Sequence, residues 1–158
     1  MYMFKYITFL LLTLAIPSLL SAQPIISHQK TEWTPYQPIL ELEGLNGQFI
    51  GRYDYGLIIA GGVKNGRGQR DAMIIFPDMA EKRVFKDFFK YTWAMGASVN
   101  MEDGVVFVGG LEDKKTTARV TKVWWNATED SLNSLSIPDL PAPNAYLTVA
   151  MIKDRLYA

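Results

Sequence analysis

Two glycine pairs 48 positions apart each open onto a run of polar side chains. Asn65, Arg67 and Arg70 follow Gly61-Gly62, and Glu112, Asp113, Lys114 and Lys115 follow Gly109-Gly110. With Asn46, Trp93 and Asn144 ahead of the neighbouring apolar runs, these are the groups on which ligand chemistry can be built. A guanidinium presents a planar fork of donors that matches a carboxylate, an amide both donates to and accepts from hydroxyls, and a carboxylate takes or gives a proton. Other chemistries are excluded by composition. There is no Cys, hence no disulfide and no thiolate metal site, and the single His28 leaves no His-pair metal motif. His28 is read as an exposed polar residue. Neither a metal nor a cofactor is expected. The 16 basic and 16 acidic residues cancel, so no charge excess points to nucleic acid or an acidic membrane surface.

The glycines do not form a phosphate-cradling loop. Gly61, Gly62, Gly66 and Gly68 fit neither G-x-x-x-x-G-K-[ST] nor G-x-G-x-x-G, and no helical pattern follows to supply a positive dipole end. Their expected role is structural, and the same holds for Gly109 and Gly110. A strand that ends in two glycines can turn with positive φ and let a neighbouring strand approach where a Cβ would intrude.

The elements that must position these loops repeat. Gly56-Leu-Ile-Ile-Ala-Gly-Gly62 stands 48 positions before Gly104-Val-Val-Phe-Val-Gly-Gly110, and Asp154-Arg-Leu-Tyr-Ala158 begins a third copy. A period near 50 residues in a β-rich chain is that of kelch-type propeller blades. The expected fold is therefore all-β, an incomplete kelch-type β-propeller of about two blades plus the start of a third over residues 45–158. In the first unit, strands are expected at Gly47–Gly51, Leu57–Ala60 and Ala72–Phe76. In the second they are expected at Gly96–Val99, Val105–Val108 and Val120–Trp125, and in the third at Tyr146–Met151 and from Leu156. Asp78 to Tyr91 has apolar spacing compatible with a short helix, yet is read as an outer strand with an irregular loop. Its counterpart, Asn126 to Ser136, is polar and reads as a loop. A closed ring needs about four to eight blades, so the chain is expected to be the N-terminal part of a longer propeller.

Ahead of the repeats, Lys5, the apolar run Ile7–Leu20 and Leu20-Ser21-Ala22 read as an export signal over residues 1–22, cleaved before Gln23. The run is shorter than the roughly 20 residues that cross a bilayer, and Pro17 interrupts it. The mature part is not expected to be membrane-embedded, and the protein is expected to be periplasmic or secreted. Residues 23–44, with Pro24, Pro35 and Pro38, are expected to form an extended lead-in or edge strand, in which Trp33 would pack between blades. The triplet Asn126-Ala-Thr128 formally permits N-glycosylation, but a single such triplet is as expected by chance.

An exported chain with Gly47-Gln-Phe-Ile-Gly51 before Leu57-Ile-Ile-Ala-Gly-Gly62, then Gly96-Ala-Ser-Val99 before Gly104-Val-Val-Phe-Val-Gly-Gly110, then Leu140-Pro-Ala-Pro143, resembles the cyclically permuted mutarotases. These are kelch-repeat proteins similar to bacterial N-acetylneuraminate epimerases. The resemblance covers about residues 45–158 and departs from the family at Val63–Asp71, which is short and basic where family members carry a longer Trp-containing segment. It implies a sugar mutarotase or epimerase acting on sialic acid or a similar sugar. On that reading Arg70 would pair with the sugar carboxylate, and Asn46, Asn65 and Asn144 would bond hydroxyls. Glu112 would serve in proton transfer at the anomeric centre and ring oxygen. Two other functions fit the same module: a non-catalytic kelch propeller that binds glycans or a protein partner, and the extracytoplasmic head of a sodium/solute symporter.

Overall fold

The computed structural model describes residues 38–77, 81–153 and 155–158. The residues expected to form an export signal, 1–22, and the part of the lead-in that holds His28 and Trp33, lie outside them.

The described chain opens on a 3-10 turn, Leu40–Leu42, where an extended edge strand was expected. Ile39 and Leu42 both pack against one face of the first large sheet. That three-residue spacing matches the 3-10 repeat, and strand pairing starts only after Gly44.

The strands then follow in chain order: β1 (Leu45–Asn46), β2 (Phe49–Tyr53), β3 (Gly56–Ala60), β4 (Val63–Lys64), β5 (Arg67–Gly68), β6 (Ala72–Ile75) and β7 (Lys82–Phe85). A second set repeats them: β8 (Trp93–Ala94), β9 (Ala97–Met101), β10 (Gly104–Val108), β11 (Leu111–Glu112), β12 (Lys115–Thr116), β13 (Val120–Asn126) and β14 (Ser131–Ile137). A hairpin of β15 (Ala150–Ile152) and β16 (Arg155–Tyr157) completes the chain. No α-helix occurs among the described residues, and none is long and apolar enough to cross a membrane. The fold is all-β.

Two four-stranded antiparallel meanders, β2-β3-β6-β7 and β9-β10-β13-β14, carry the structure. Beside each lies a small three-stranded ladder, β1-β4-β5 or β8-β11-β12. The central strands are those with β-branched and aromatic runs buried on both faces: Val105 to Val108 are essentially inaccessible, as are Ile58 and Ile74. The outer strand β7 is exposed along Lys82, Arg83 and Val84, and such charges on an edge discourage pairing with another chain. Its existence agrees with the reading of Asp78–Tyr91 as strand plus loop. Asn126–Ser136, in contrast, is not a loop. Ser131–Ile137 pairs along its whole length with β13, anchored by Leu132, which is buried in the shared core. Ile137 at the strand's end packs against Val106, Val108 and Val120, while Ser134, Leu135 and Ser136 between the two are exposed.

The core between the two meanders is aromatic. Phe49 stacks on Phe107 with centroids 4.8 Å apart and tilts against Trp93 at 4.7 Å, and Phe89 meets Trp93 edge-on at 5.1 Å. Ile58, Ile74, Val105 and Val123 surround them. Alternation along the strands sends the remaining apolar residues to opposite faces. Ile59, Met73 and Ile75 lie against Ile39, Leu42 and Leu45, whereas Val106, Val108 and Val120 lie against Leu147, Val149 and Leu156. Each meander is thus covered on both faces, and the β15–β16 hairpin with the segment before it occupies on the second meander the place that the second meander occupies on the first.

Candidate functional site

The loops after the glycine pairs are positioned by a junction that recurs with the repeat. Gly61 and Gly109 adopt φ of +61° and +57°. A Cβ at Gly61 would lie 2.0 Å from the carbonyl oxygen of Trp93, and one at Gly109 would lie 2.5 Å from that of Asn144. The next residue in each pair completes the contact: Gly62 N–H donates to Trp93 O at 2.8 Å and Gly110 N–H donates to Asn144 O at 2.7 Å. Asn144 therefore stands in the third repeat where Trp93 stands in the second. Two residues further on, Met95 N–H donates to Gly47 O at 2.7 Å and Tyr146 N–H donates to Met95 O at 2.8 Å. Gly47, Met95 and Tyr146 share φ values of 61°, 58° and 57°, so the left-handed turn is kept even where the residue is not glycine.

The junction brings two hairpins to one side. β4–β5, with Asn65 and Gly66 at its tip, and β11–β12, with Asp113 and Lys114 at its tip, flank the segment that enters β8. Thr92 holds the second hairpin: its N–H and Oγ1 donate to Asp113 Oδ1 at 3.0 and 2.8 Å, and Asp113 N–H donates to Thr92 O at 3.0 Å. The first hairpin closes on the same threonine, since a Cβ at Gly68 would lie 2.6 Å from Thr92 Cβ. Between the hairpins is a cleft of about 450 Å³ lined by Arg67, Thr92, Met95, Leu111, Asp113 and Lys114. It has the size of a small-molecule site and carries two cations and one hydrogen-bonded carboxylate.

A second groove, of about 380 Å³, lies on the other side of β8 and is lined by Tyr91, Trp93, Glu112, Arg119, Thr121 and Ser136, among others. Here Glu112 accepts a two-point interaction from Arg119, Nε to Oε2 and Nη2 to Oε1, both at 3.0 Å, and Thr117 Oγ1 adds a longer bond at 3.3 Å. The Glu112 carboxylate holds the Arg119 guanidinium above its ordinary value, against the opposing effect of burial. Trp93 forms the floor, with its indole Nε1–H donating to Gly109 O at 2.7 Å.

The residues singled out in the sequence do not converge on one point. Glu112 belongs to the second groove. Arg67, Asp113 and Lys114 line the first cleft, and exposed Asn65 sits on its rim hairpin. Arg70 forms an ion pair with Asp87. Asn46 pairs with Val63 in the ladder and is exposed. Asn144 contributes its main chain to the junction, with its side chain exposed. Thr92, Met95, Arg119 and Thr121 were missed. A signal for Arg119 existed: Lys64 and Asp71 stand where Glu112 and Arg119 stand 48 positions later, so the repeat exchanges the two charges together. Among the described residues no group of three or more His, Asp or Glu side chains is arranged to hold a metal ion. The chain matches no model of a known protein family and no curated protein.

Proposed function

We propose that the two meanders are successive blades of a kelch-type β-propeller, and that the protein is an exported mutarotase or epimerase of sialic acid or a similar sugar. The observation that carries this reading is the recurrent junction, Gly62 to Trp93 and Gly110 to Asn144. By repetition it delivers the loops after each second strand to one face. On that face the cleft between Arg67 and Lys114 offers two cations to a sugar carboxylate, and Asn65 and Thr92 offer groups to hydroxyls. The test is the exchange rate between the anomers of N-acetylneuraminate, followed by NMR with the purified full-length protein. Acceleration is expected, and a rate equal to that in buffer would exclude the enzymatic reading.

One observation favours the second reading, a glycan-binding propeller without turnover. The Glu112 carboxylate is engaged on both oxygens by Arg119, an arrangement that ties it to its neighbour rather than presenting it to the anomeric centre of a sugar. That reading expects N-acetylneuraminate to bind with no change in anomer exchange.

A further inference from the structure

The repeat builds the same lateral groove twice. Leu45, Lys64, Asp71, Met73 and Val84 stand in the first copy where Trp93, Glu112, Arg119, Thr121 and Ser136 stand in the second. In the first copy Met73 is buried among Ile59, Ile75 and the lead-in leucines, and the remaining space is about 210 Å³. In the second copy the equivalent strand positions carry hydroxyls, and the space grows to about 380 Å³. Packing alone does not ask for hydroxyls there, because Met73 and Val84 fill the same positions one repeat earlier.

Thr121 is the telling residue. It is 5% exposed, the one buried polar residue among those described, and its side chain lines the groove. Its hydroxyl both donates and accepts, so the groove wall offers it to a ligand's hydroxyl. Ser136 and Ser134 stand at the rim from β14, and Tyr91, 37% exposed, forms an aromatic wall. Arg119 and Glu112 neutralise each other at the side, and the Lys90 ammonium lies over the Tyr91 ring, 5.1 Å from its centroid.

We propose that this lateral groove binds a neutral, hydroxyl-rich ring of pyranose size, with the hydroxyls of Thr121 and Ser136 bonding those of the sugar and Tyr91 covering its C–H face. The site shares no lining residue with the cleft at Arg67 and Lys114, so it stands or falls separately from the proposed activity on sialic acid.

N-acetyl-D-glucosamine is the probe. Titrated into the full-length protein, it is expected to cause saturable shifts of the Thr121 methyl and Trp93 indole N–H resonances, leaving the Gly66 and Lys114 amides in place. Thr121→Val keeps the shape, removes the hydroxyl and is expected to weaken binding about five- to tenfold, the worth of one hydrogen bond. Ser136→Ala, at the exposed rim, is expected to weaken it in the same sense without disturbing the core. Absence of saturable shifts, shifts confined to Gly66 and Lys114, or undiminished binding by both variants would overturn the proposal.

Discussion

Gly62 donates its main-chain N–H to the carbonyl of Trp93 at 2.8 Å, and Gly61 beside it leaves no room for a Cβ, which would stand 2.0 Å from the same oxygen. The glycine pair is therefore a socket for the chain entering the following repeat. Gly61→Ala combines a backbone clash with a left-handed φ and is expected to cost about 3 kcal/mol or more. Gly66→Ala shares the left-handed φ, +72°, but has nothing within 4 Å, and is expected to cost about 1 kcal/mol. Urea unfolding of the two variants checks the difference, and equal losses would contradict the socket.

The exposed edge of β2 is satisfied by side chains one repeat on. Ile50 N–H donates to Ser98 Oγ at 3.1 Å and Arg52 N–H donates to Asn100 Oδ1 at 2.9 Å, both across 48 positions. Removing both acceptors with Ser98→Ala and Asn100→Ala is expected to speed amide hydrogen exchange at Ile50 and Arg52 selectively. Global stability should fall by about 1 kcal/mol or less, because water replaces the lost partners. Unchanged exchange at these two amides would refute the capping role.

Glu112 and Arg119 form a partly buried, two-point ion pair. Glu112→Gln and Arg119→Gln made singly are each expected to destabilise, since each strands one partner. The double variant should lose less than their sum, with a coupling of about 1 kcal/mol. A double-mutant cycle by thermal unfolding measures this, and strict additivity would mean that the pair is not energetically coupled.

Acid should weaken the fold through the exposed carboxylates that hold cations. The hydrogen bond from Lys82 lowers Glu41 below its ordinary value of 4.5, and that from Lys122 lowers Asp103 below its ordinary 3.8. A carboxyl depressed in the folded state contributes stability above its unfolded value and loses it as the pH falls through the folded one. Denaturation midpoints are therefore expected to be level near neutrality and to decline below about pH 4.5. The decline should be shallower in Lys82→Met combined with Lys122→Met, and an identical profile would exclude these pairs as its cause.

Much of the architecture was legible because the second strand of each meander is buried on both faces. Leu57–Ala60 and Val105–Val108 had to be continuous apolar runs, and the junction then required glycine directly after them. Ser131–Ile137 was hidden for the opposite reason: as an outer strand it buries Leu132 deeply and Ile137 in part, and the serines and asparagine between them give it the composition of a loop. The small ladders were hidden too, since two-residue strands such as Val63–Lys64 and Leu111–Glu112 carry no periodicity. Around the site, Glu112 could be picked out as a carboxylate after a glycine pair, but its partner Arg119 lies seven positions on, across a hairpin whose pairing the sequence does not display. Thr92 and Thr121 are common residues whose meaning comes only from the segments packed against them.

The carboxylate of the sugar is the feature that the Arg67 and Lys114 cleft is proposed to read, so calorimetric titration of N-acetylneuraminate against its methyl ester tests the account most directly. The free acid is expected to bind at least about tenfold more tightly than the ester, an advantage of about 1.4 kcal/mol. Arg67→Ala combined with Lys114→Ala is expected to abolish that preference. Equal affinity for acid and ester, or a preference that survives in the double variant, would contradict it.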